Sequence, residues 1–571
     1  MASVEHALKP GVLRNLFQRV LGPEGSYYNL AVIYGIAFSV LTLAVPISVQ
    51  MLIDTVANTA LVQPLVVLSA VLLVLLLVSG LLYAFRTHLM ELFERRIYAR
   101  LTSEVALRAM YARATFFDET QRTDLFNRYF DIMTLQRYVP SILIGAVSLI
   151  FQAVFGIAVV SLYHPALLIF NVAFVLLIWL VWAVWGRGAI RTGLYLSESK
   201  YNTARWLEGL ASNNSFFKSD QHISFALSQA DDFTNRYMTE KKRHFRFTFA
   251  QTVALLLLYA IASAGLLGIG GWLVIIGELT LGQLVAAELI MSAIFVGVSQ
   301  FSSYLRQFYD VCAAVEELSR FFDMPLEQAE GSLVLPDGAT DLTFNKVRLH
   351  LHDKPVMLDM VIPGGANLRA EAEDFGLQRI FTYLMKRHIV PNGGSITLGG
   401  QDLMDCDVHR LRQDVVVLHR SNMMESRIVD YLRLSHEGVT RADMVEALDM
   451  VGLDEVISAL EDGLNTIVGP SGLPLSDDEA MRLKLAAAIL SRPHVLVLTQ
   501  QFDLVDGDHM NRVIAYLDEK ACTTVVYFTQ RRDIAAFTHN LFLSNDEQRI
   551  TRLDAADAPA GDQGENNAAD S

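Results

Sequence analysis

The 571-residue chain has few cysteines and no excess of basic residues. Its three cysteines, Cys312, Cys406 and Cys522, are scattered and odd in number, which argues against a disulfide framework or a paired-cysteine metal site. The net charge is −15 at pH 7, so composition does not favour a nucleic-acid partner. The first twenty residues lack a short apolar core followed by a small-residue cleavage site, so we expect no signal peptide. The histidines are dispersed, and we expect no metal site.

Hydrophobic residues are abundant and unevenly placed. They make up 52% of the chain, the mean hydropathy is +0.33, and most of the apolar runs precede residue 300. Six of these runs are long enough for the roughly 20 helical residues that cross a bilayer; they lie near 28–53, 62–85, 139–162, 165–185, 249–276 and 283–301. The runs neither alternate nor break at turn residues, which favours helices over strands. The sequence therefore predicts an integral membrane protein in contact with the lipid bilayer.

Basic residues predict the orientation of these spans. The segment Arg86–Arg137 carries nine arginines and Arg187–Arg246 carries ten lysines or arginines, whereas the three short connections carry none. The positive-inside bias then places both termini and the two long segments in the cytoplasm. Because these segments contain few glycines or prolines, we expect each to form a helical hairpin, with a short crossing helix at its tip in "TFFDETQRTDLF" and "RWLEGLASNNSFFK".

Two features inside the spans suggest local functions. The run "GLLGIGG" (Gly265–Gly271) has the glycine content of a phosphate loop, but its place in a span favours close helix packing through small residues. Glu288 is an acid within the sixth span, which makes it a candidate for the transport path. It also lies little more than one turn from the outer connection, so the alternative is that its carboxylate reaches the interface.

After about residue 331 the pattern changes to that of an α/β domain. "LTFNKVRLHLHDKPVMLDMVIPGG" has the alternation and punctuation of paired strands, and His350 and His352 alternate on it as surface or core residues. "HVLVL" and "TTVVYFT" are short β-branched runs between helical segments, typical of buried strands. We expect a cytoplasmic N-terminus over 1–27, a membrane domain over 28–310, a linker over 311–332, the α/β domain over 333–548, and a disordered acidic tail over 549–571.

The order of short motifs resembles that of an ATP-binding cassette (ABC) exporter half-subunit. "VPISVQMLIDTV" and "GELTLGQLVA" are similar to segments of its membrane domain. "VIPGG", "PNGGSITLGGQDL", "LRQDVVVL", "GPSGLPLSDDEAMRLKLAAAILSRPHVLVLTQQFDLVD" and "TTVVYFTQRR" follow the cassette's order and spacing. The resemblance covers nearly the whole chain. It implies an α-helical six-span membrane domain followed by an α/β, P-loop-NTPase-like cytoplasmic domain.

The resemblance also locates the phosphate loop, and that loop is degenerate. It falls on "AEDFGLQR", Ala372–Arg379, where Gly376 is the remaining glycine. Gln378 stands at the lysine position and Arg379 at the serine or threonine position. Glu373 and Asp374 place negative charge where phosphates would lie, so we expect no tight nucleotide binding. The aromatic that stacks on adenine has no clear match, and Leu351 or His352 is nearest.

The other motif positions of the cassette also hold residues that differ from those of the family. Arg420 replaces the glutamine that senses magnesium. Thr499 and Gln500 replace the magnesium-holding aspartate and the general-base glutamate, and Gln530 replaces the switch histidine. The signature, Leu-Ser-Gly-Gly-Gln in the family, here ends in Ser476, Asp477, Asp478 and Glu479. We therefore expect no catalytic residue in this chain, although the ABC-type ATPase fold is kept.

These departures lead to three hypotheses. The first is a pseudo-ATPase half of an ABC exporter that lines the transport path and pairs, as a heterodimer or homodimer, with an ABC half-subunit; ATP and magnesium would then be held through a competent partner. The second is a non-transporting scaffold or regulator of an export complex. The third is an ordinary ATP-hydrolysing ABC transporter. The expected location is the bacterial inner membrane.

Overall fold

The computed structural model describes residues 11–553 apart from 60–61, 119–121, 328–330, 337, 339, 352–353 and 420–422. The chain divides into two units, Met1–Leu326 and Glu327–Ser571. The structure does not form a linker over the first half of the predicted range 311–332. Its residues up to Phe322 are helical and belong to the first unit, because the apolar side chains of this stretch, such as Val315 and Phe321, are buried in that unit's core.

The first unit is α-helical. Its helices are α1 (Val12–Leu21), α2 (Gly25–Thr42), α3 (Ala44–Thr59), α4 (Val62–Tyr111), α5 (Ala114–Asp118), α6 (Asp131–Pro140), α7 (Val147–Tyr163), α8 (Pro165–Ser212), α9 (Asp220–Ile275) and α10 (Leu281–Phe322). A six-residue π-helical segment, Ser141–Ala146, joins α6 to α7. Among the described residues, six helical stretches are long and apolar enough to cross a membrane, which confirms the six predicted spans.

The long helices continue well beyond the apolar runs. Helices α4, α8 and α9 contain 50, 48 and 56 residues, so each is about 70–85 Å long at a rise of 1.5 Å per residue. The expectation of helical hairpins is therefore confirmed. The first tip contains the short helix α5 and a 3₁₀ segment, Arg122–Phe130.

The separate helix expected at the second tip is wrong. Residues 205–212 are the last turns of α8, and α9 starts at Asp220. Between them lie a turn and the 3₁₀ segment Phe216–Lys218. The run from Arg205 to Ser212 contains Gly209 but no proline, so nothing in it forces the helix to end. Residues 205–212 therefore continue α8 instead of forming a separate helix.

Close helix packing, predicted for the Gly265–Gly271 run, occurs at Gly270, whereas a Cβ at Gly265 would make an ordinary contact and one at Gly268 or Gly271 would meet no described atom within 4 Å. These glycines lie inside α9. A methyl group built on Gly270 would approach Leu284 of α10 to 2.5 Å, and one on Gly265 would lie 3.4 Å from Phe170 of α8. Small residues let helix backbones approach in a membrane protein, and a side chain at position 270 would separate these two helices.

The second unit is an α/β domain with two main sheets. Its strands are β1 (Leu342–Leu351), β2 (Lys354–Ile362), β3 (Asn367–Ala372), β4 (Gly393–Leu398), β5 (Gln401–Asp402), β6 (Val415–Leu418), β7 (Ser426–Arg427), β8 (Ile467–Val468), β9 (Val495–Leu498), β10 (Thr524–Phe528), β11 (His539–Leu543) and β12 (Gln548–Arg552). Its helices are α11 (Phe375–Met385), α12 (Val408–Asp414), α13 (Ile428–Arg433), α14 (Arg441–Met450), α15 (Asp454–Ala459), α16 (Asp477–Ser491) and α17 (Gly507–Ala521).

Strand order shows how the second unit is built. The first sheet, β2-β1-β4-β5, is antiparallel, and the second, β12-β11-β3-β10-β9-β6, has a parallel centre. Every residue of β9 and β10 is buried, as predicted. Strands β6 and β7 were not predicted from the sequence. The run "VVVL" pairs with β9 as the edge strand of the large sheet, where Val415 is buried and the other three residues are half-buried. The disordered tail was predicted over 549–571, but its first residues, up to Arg552, belong to β12, which pairs with β11. The rest of the tail, beyond residue 553, lies outside the described residues.

Candidate functional site

Five parallel strands, β11, β3, β10, β9 and β6, end at one edge of the large sheet, and the predicted site positions follow four of them. Neighbouring strands in the order β3, β10, β9 and β6 run in the same direction, so their carboxyl ends, where α/β proteins place their ligands, lie side by side. This edge brings together the predicted phosphate loop after β3, Thr499 and Gln500 after β9, and Gln530 after β10. Arg420, expected after β6, lies outside the described residues.

The segment after β3 forms almost no loop. Strand β3 ends at Ala372 and α11 begins at Phe375, so five of the eight residues of the phosphate-loop stretch are helical. Asp374 is the N-cap, and its carboxylate accepts the Gly376 N–H at 2.8 Å. A negatively charged cap suits the positive end of the helix. The site that would attract a phosphate therefore already holds a carboxylate.

The backbone donors of this segment are engaged within the protein. The Glu373 N–H donates to the Leu543 carbonyl at 2.9 Å, and the N–H groups of Leu377 and Gln378 donate to the Asp374 carbonyl at 3.0 and 3.4 Å. Phosphate-binding loops work because such N–H groups point at the ligand instead. In this chain four of the segment's amides are committed to its own fold.

Two side chains at the phosphate-loop motif positions have packing roles. Leu377, where the family has a glycine, is 2% exposed and belongs to the core of the second unit. Arg379 is exposed, and its guanidinium lies 5.7 Å from the centre of the Tyr383 ring, a cation–π distance. Gln378 is half-buried. Sequence reasoning did not find Leu377, although an apolar residue on the inner face of an amphipathic helix was a usable signal.

The strand end that would hold magnesium has no carboxylate. The Thr499 N–H donates to the Leu418 carbonyl at 3.2 Å. Its hydroxyl oxygen is buried and has no hydrogen-bond partner among the described residues. Gln500 is exposed and opens the 3₁₀ segment Gln500–Leu504. Gln530, at the switch position, is also exposed.

A polar network that sequence reasoning missed occupies this edge. The Asp503 carboxylate accepts hydrogen bonds from the Tyr527 hydroxyl at 2.8 Å and the Thr529 hydroxyl at 2.6 Å. Arg531 donates to the carbonyls of Asp503 and Val505 and pairs with Asp533. The network joins the segment after β9 to the end of β10. In the sequence, Asp503, Tyr527 and Thr529 lie between Gln500 and Gln530. Its residues are ordinary in sequence, and only the sheet order brings them together.

The network's ionisation states are stabilised by its own contacts. Burial, followed by the hydrogen bond to Asp503, raises the pKa of Tyr527. The hydrogen bond with Asp533 raises the pKa of Arg531, and that same bond lowers the pKa of Asp533. Tyr527 therefore remains a neutral donor, and Arg531 and Asp533 remain a charged pair. These are the ionisation states in which the hydrogen bonds of the network form.

The signature segment opens helix α16, as predicted. Ser476 is its N-cap and forms a capping box with Glu479, whose carboxylate accepts the Ser476 N–H at 2.8 Å while the serine hydroxyl accepts the Glu479 N–H at 3.3 Å. Asp477 is exposed. Asp478 pairs with Arg482 at 2.7 Å, and Arg482 also donates to the Gly452 carbonyl at 2.8 Å. The signature residues thus fasten α16 to the end of α14.

Glu288 lies on α10 in the first unit and is half-buried. One carboxylate oxygen accepts the Ser292 hydroxyl at 3.3 Å, while the other is buried without a partner among the described residues. An unpaired carboxylate oxygen inside a membrane span is costly.

No cluster of three histidine, cysteine, aspartate or glutamate residues with metal-binding geometry occurs within the described ranges. Six membrane-length helices with long hairpins, followed by an α/β unit built on a parallel sheet, define the class of this protein. It is an integral membrane protein with the architecture of an ABC exporter.

Comparison with known proteins agrees with this class. The family described as ABC transporter transmembrane region matches residues 29–298, just under half of the chain. The alpha-hemolysin translocation ATP-binding protein HlyB of Escherichia coli is 29% identical over 272 residues, 46% of this chain and 38% of that protein. The toxin RTX-I translocation ATP-binding protein of Actinobacillus pleuropneumoniae is 30% identical over 245 residues, 42% and 35% of the two chains. The matched segments thus span well under half the length of these relatives.

One solved structure extends the likeness to both units. A bacterial Atm1-family ABC exporter with ATP bound superposes with a TM-score of 0.77 and 17% sequence identity, covering 93% of this chain and 96% of that one. The membrane-spanning part of this chain matches the ABC transporter transmembrane region, and the chain as a whole has the ABC exporter fold.

Proposed function

We propose that this chain is a subunit of an ABC-type exporter whose own cassette neither binds ATP tightly nor hydrolyses it. In this proposal the chain lines the transport path and pairs with a second ABC half-subunit that provides the competent phosphate loop and catalytic glutamate. The observation that carries the proposal is the early start of α11. Its N-cap carboxylate stands at the helix N-terminus, and four backbone amides of the phosphate-loop segment donate to groups of the protein itself.

The donor set at the sheet edge does not fit a magnesium nucleotide. A nucleotide site requires cations and N–H groups for the phosphates and a carboxylate for magnesium. Here Glu373 and Asp374 stand in the phosphate segment, and neither Thr499 nor Gln500 carries charge. Each carboxylate within a few ångströms of a triphosphate repels it by about 4 kcal/mol or less at the effective dielectric constant of a protein surface. No reaction step is assigned to this edge.

Pairing follows from how the family builds its sites. In ABC proteins each nucleotide lies between one chain's phosphate loop and the partner's signature. A competent partner would bind ATP on its own loop but would face Asp477 and Asp478 of this chain, two acids at the start of α16. We therefore expect closure around that nucleotide to be weakened. A homodimer would have no competent loop at either site.

Nucleotide binding by the purified chain tests the first part of the proposal. Isothermal titration of the full chain in detergent with Mg-ATP should show no saturable binding below about 1 mM, a range in which ordinary ligand affinities are easily measured. Micromolar affinity accompanied by hydrolysis would overturn the proposal and support an ordinary ABC transporter.

Affinity purification from gently solubilised native membranes tests the pairing. An equimolar ABC half-subunit with an intact phosphate loop and catalytic glutamate is the expected partner. Recovery of self-associated chain alone, or of a partner from another class, would contradict it and favour the scaffold hypothesis. The proposed location is the bacterial inner membrane with both termini cytoplasmic, and fusion of a periplasm-dependent reporter to either terminus should give an inactive reporter.

Glu288 offers a test of transport as opposed to scaffolding. Glu288→Gln keeps the size and the Ser292 contact but removes the charge. If the chain lines the path, the assembled complex should keep its stoichiometry while its export activity changes. Glu278→Gln is the matched control, because that exposed acid lies in the outer connection. Unchanged export in both variants would argue against a role for Glu288 in the path.

A further inference from the structure

A pocket of about 370 Å³ lies between the short N-terminal helix α1 and the longer helices of the first unit. Its walls are apolar and include Phe17 and Leu21 of α1, Leu143 of the π-helical segment and Phe308 of α10. Arg14 and Gln18, both exposed, complete the lining on the polar side of α1. The volume falls within the range of small-molecule sites.

The pocket lies at the boundary of the membrane. The first span begins at Tyr27, directly after α1 and next to the pocket residue Tyr28. Tyrosines at the start of a span are typical of the interface between hydrocarbon and water. Helix α1 itself is amphipathic, with apolar residues at 13, 16, 17, 20 and 21 and polar ones at 14, 15, 18 and 19. Such a helix lies in the plane of the interface.

The charges around α1 distinguish Arg14 from its neighbour. Arg19 pairs with Asp323 at 2.8 Å. In the part of the chain that the structure describes, no carboxylate lies within ion-pair distance of Arg14. An unneutralised guanidinium beside an apolar pocket, at the depth of lipid head groups, is complementary to an acyl chain with an anionic head.

We propose that this pocket binds one anionic phospholipid, with an acyl chain between Phe17, Leu143 and Phe308 and with Arg14 against the head-group phosphate. The bound lipid would fill the space between α1 and α10, two helices that pack against each other. It would hold the amphipathic helix against the helix that ends the membrane unit. The proposal concerns the first unit and is independent of the ATP-binding state of the second.

Native mass spectrometry of the full chain, delipidated in detergent, tests the site. Titration with phosphatidylglycerol should give one tightly held adduct, and phosphatidylcholine of the same acyl length should bind more weakly. Arg14→Gln should weaken phosphatidylglycerol binding roughly five-fold, the effect of one arginine near an anionic head group. Arg19→Gln is the matched control on the same helix, and it should leave the affinity within two-fold, since Asp323 already neutralises that charge.

A second variant tests the acyl-chain part of the pocket. Leu143→Trp fills the cavity and should abolish the tight adduct of either lipid while the chain remains monodisperse. Equal retention of the two lipids, or phosphatidylglycerol affinity unchanged by both Arg14→Gln and Leu143→Trp, would overturn the proposal. If Leu143→Trp does not fold, the Arg14→Gln and Arg19→Gln pair decides the outcome alone.

Discussion

Arg128 and Glu317 form a buried ion pair across 189 positions of the chain: the arginine Nε donates to the glutamate Oε2 at 2.6 Å, and the two side chains are 5% and 1% exposed. Arg128 lies in the 3₁₀ segment at the first hairpin tip, and Glu317 lies near the end of α10. Arg320 also approaches Glu317, at 3.4 Å. This contact connects the extended part of the first hairpin to the helix that leaves the membrane unit.

Breaking this pair should be strongly destabilising. Arg128→Met leaves a buried carboxylate with less compensation, and removal of one partner of a buried pair costs about 3–5 kcal/mol. The double variant Arg128→Met/Glu317→Leu should recover much of that loss, because replacing both partners by apolar groups is often near neutral. The thermal midpoint of the chain in detergent is the measurement. Equal losses in the single and double variants would show that the pair is not coupled.

Restoring a glycine to the phosphate-loop segment should cost stability without restoring nucleotide binding. Leu377→Gly removes a side chain from the core of the second unit, and large-to-small changes of this kind cost about 2–5 kcal/mol. Its midpoint of unfolding should fall well below that of Phe375→Ala, a control in the same turn whose side chain is 76% exposed. The triple variant Leu377→Gly/Gln378→Lys/Arg379→Ser should still show no saturable binding of Mg-ATP. Asp374 still caps the helix, and the backbone amides of the segment still donate within the protein. Saturable binding would show that side-chain identity alone prevented it.

Restoring the signature should also weaken the fold. Changing Asp477 and Asp478 to glycine and Glu479 to glutamine removes three acids from the positive end of α16 and the ion pair between Asp478 and Arg482. The combined loss should be roughly 1–3 kcal/mol, from helix-dipole, ion-pair and glycine effects. Ser476→Ala tests the cap separately and should cost about 1 kcal/mol. Hydrogen exchange of residues 476–490 measures both, and unchanged protection in the glycine variant would contradict the structural role of the acids.

Lys386 should make the second unit more stable at alkaline pH. Burial, followed by the charge of Arg412, lowers the pKa of Lys386 to about 8 from an ordinary value of 10.5, although its Nζ donates to the Arg412 carbonyl at 2.9 Å. Between these two pKa values the unfolded chain binds more protons than the folded one, so stability rises with pH by roughly 2–3 kcal/mol across this window and is lower below pH 8.

The comparison of Lys386→Met with wild type isolates this effect. The methionine variant should lack the extra rise between pH 8 and 10.5, whereas Lys520→Met, which alters an exposed lysine of the same unit, should retain it. The unfolding midpoint of the second unit at pH 7.5, 9 and 10 is the readout. Parallel pH curves for all three proteins would show that Lys386 titrates as an ordinary lysine.

Local patterns were sufficient to predict much of the architecture. The six spans followed from the length of apolar runs, and the arginine-rich hairpins followed from their helix-forming composition. The buried strands β9 and β10 followed from short β-branched runs. The helix start after Ser476 was also readable, because a serine followed three residues later by glutamate carries its own capping signal. These features depend on interactions between near neighbours in the chain.

Other features depended on residues that are distant in sequence. Strand β6 was missed because four valine and leucine residues become a strand only when β9 lies beside them. The Asp503–Tyr527–Arg531 network required the order of the parallel strands. The sequence by itself determined which side chains stand where the chain resembles the cassette's motifs, since that is a matter of residue identity. Only the tertiary structure decided that Asp374 caps α11, that Leu377 is buried in the core and that the amides are committed, because each depends on where the backbone ends one element and starts the next.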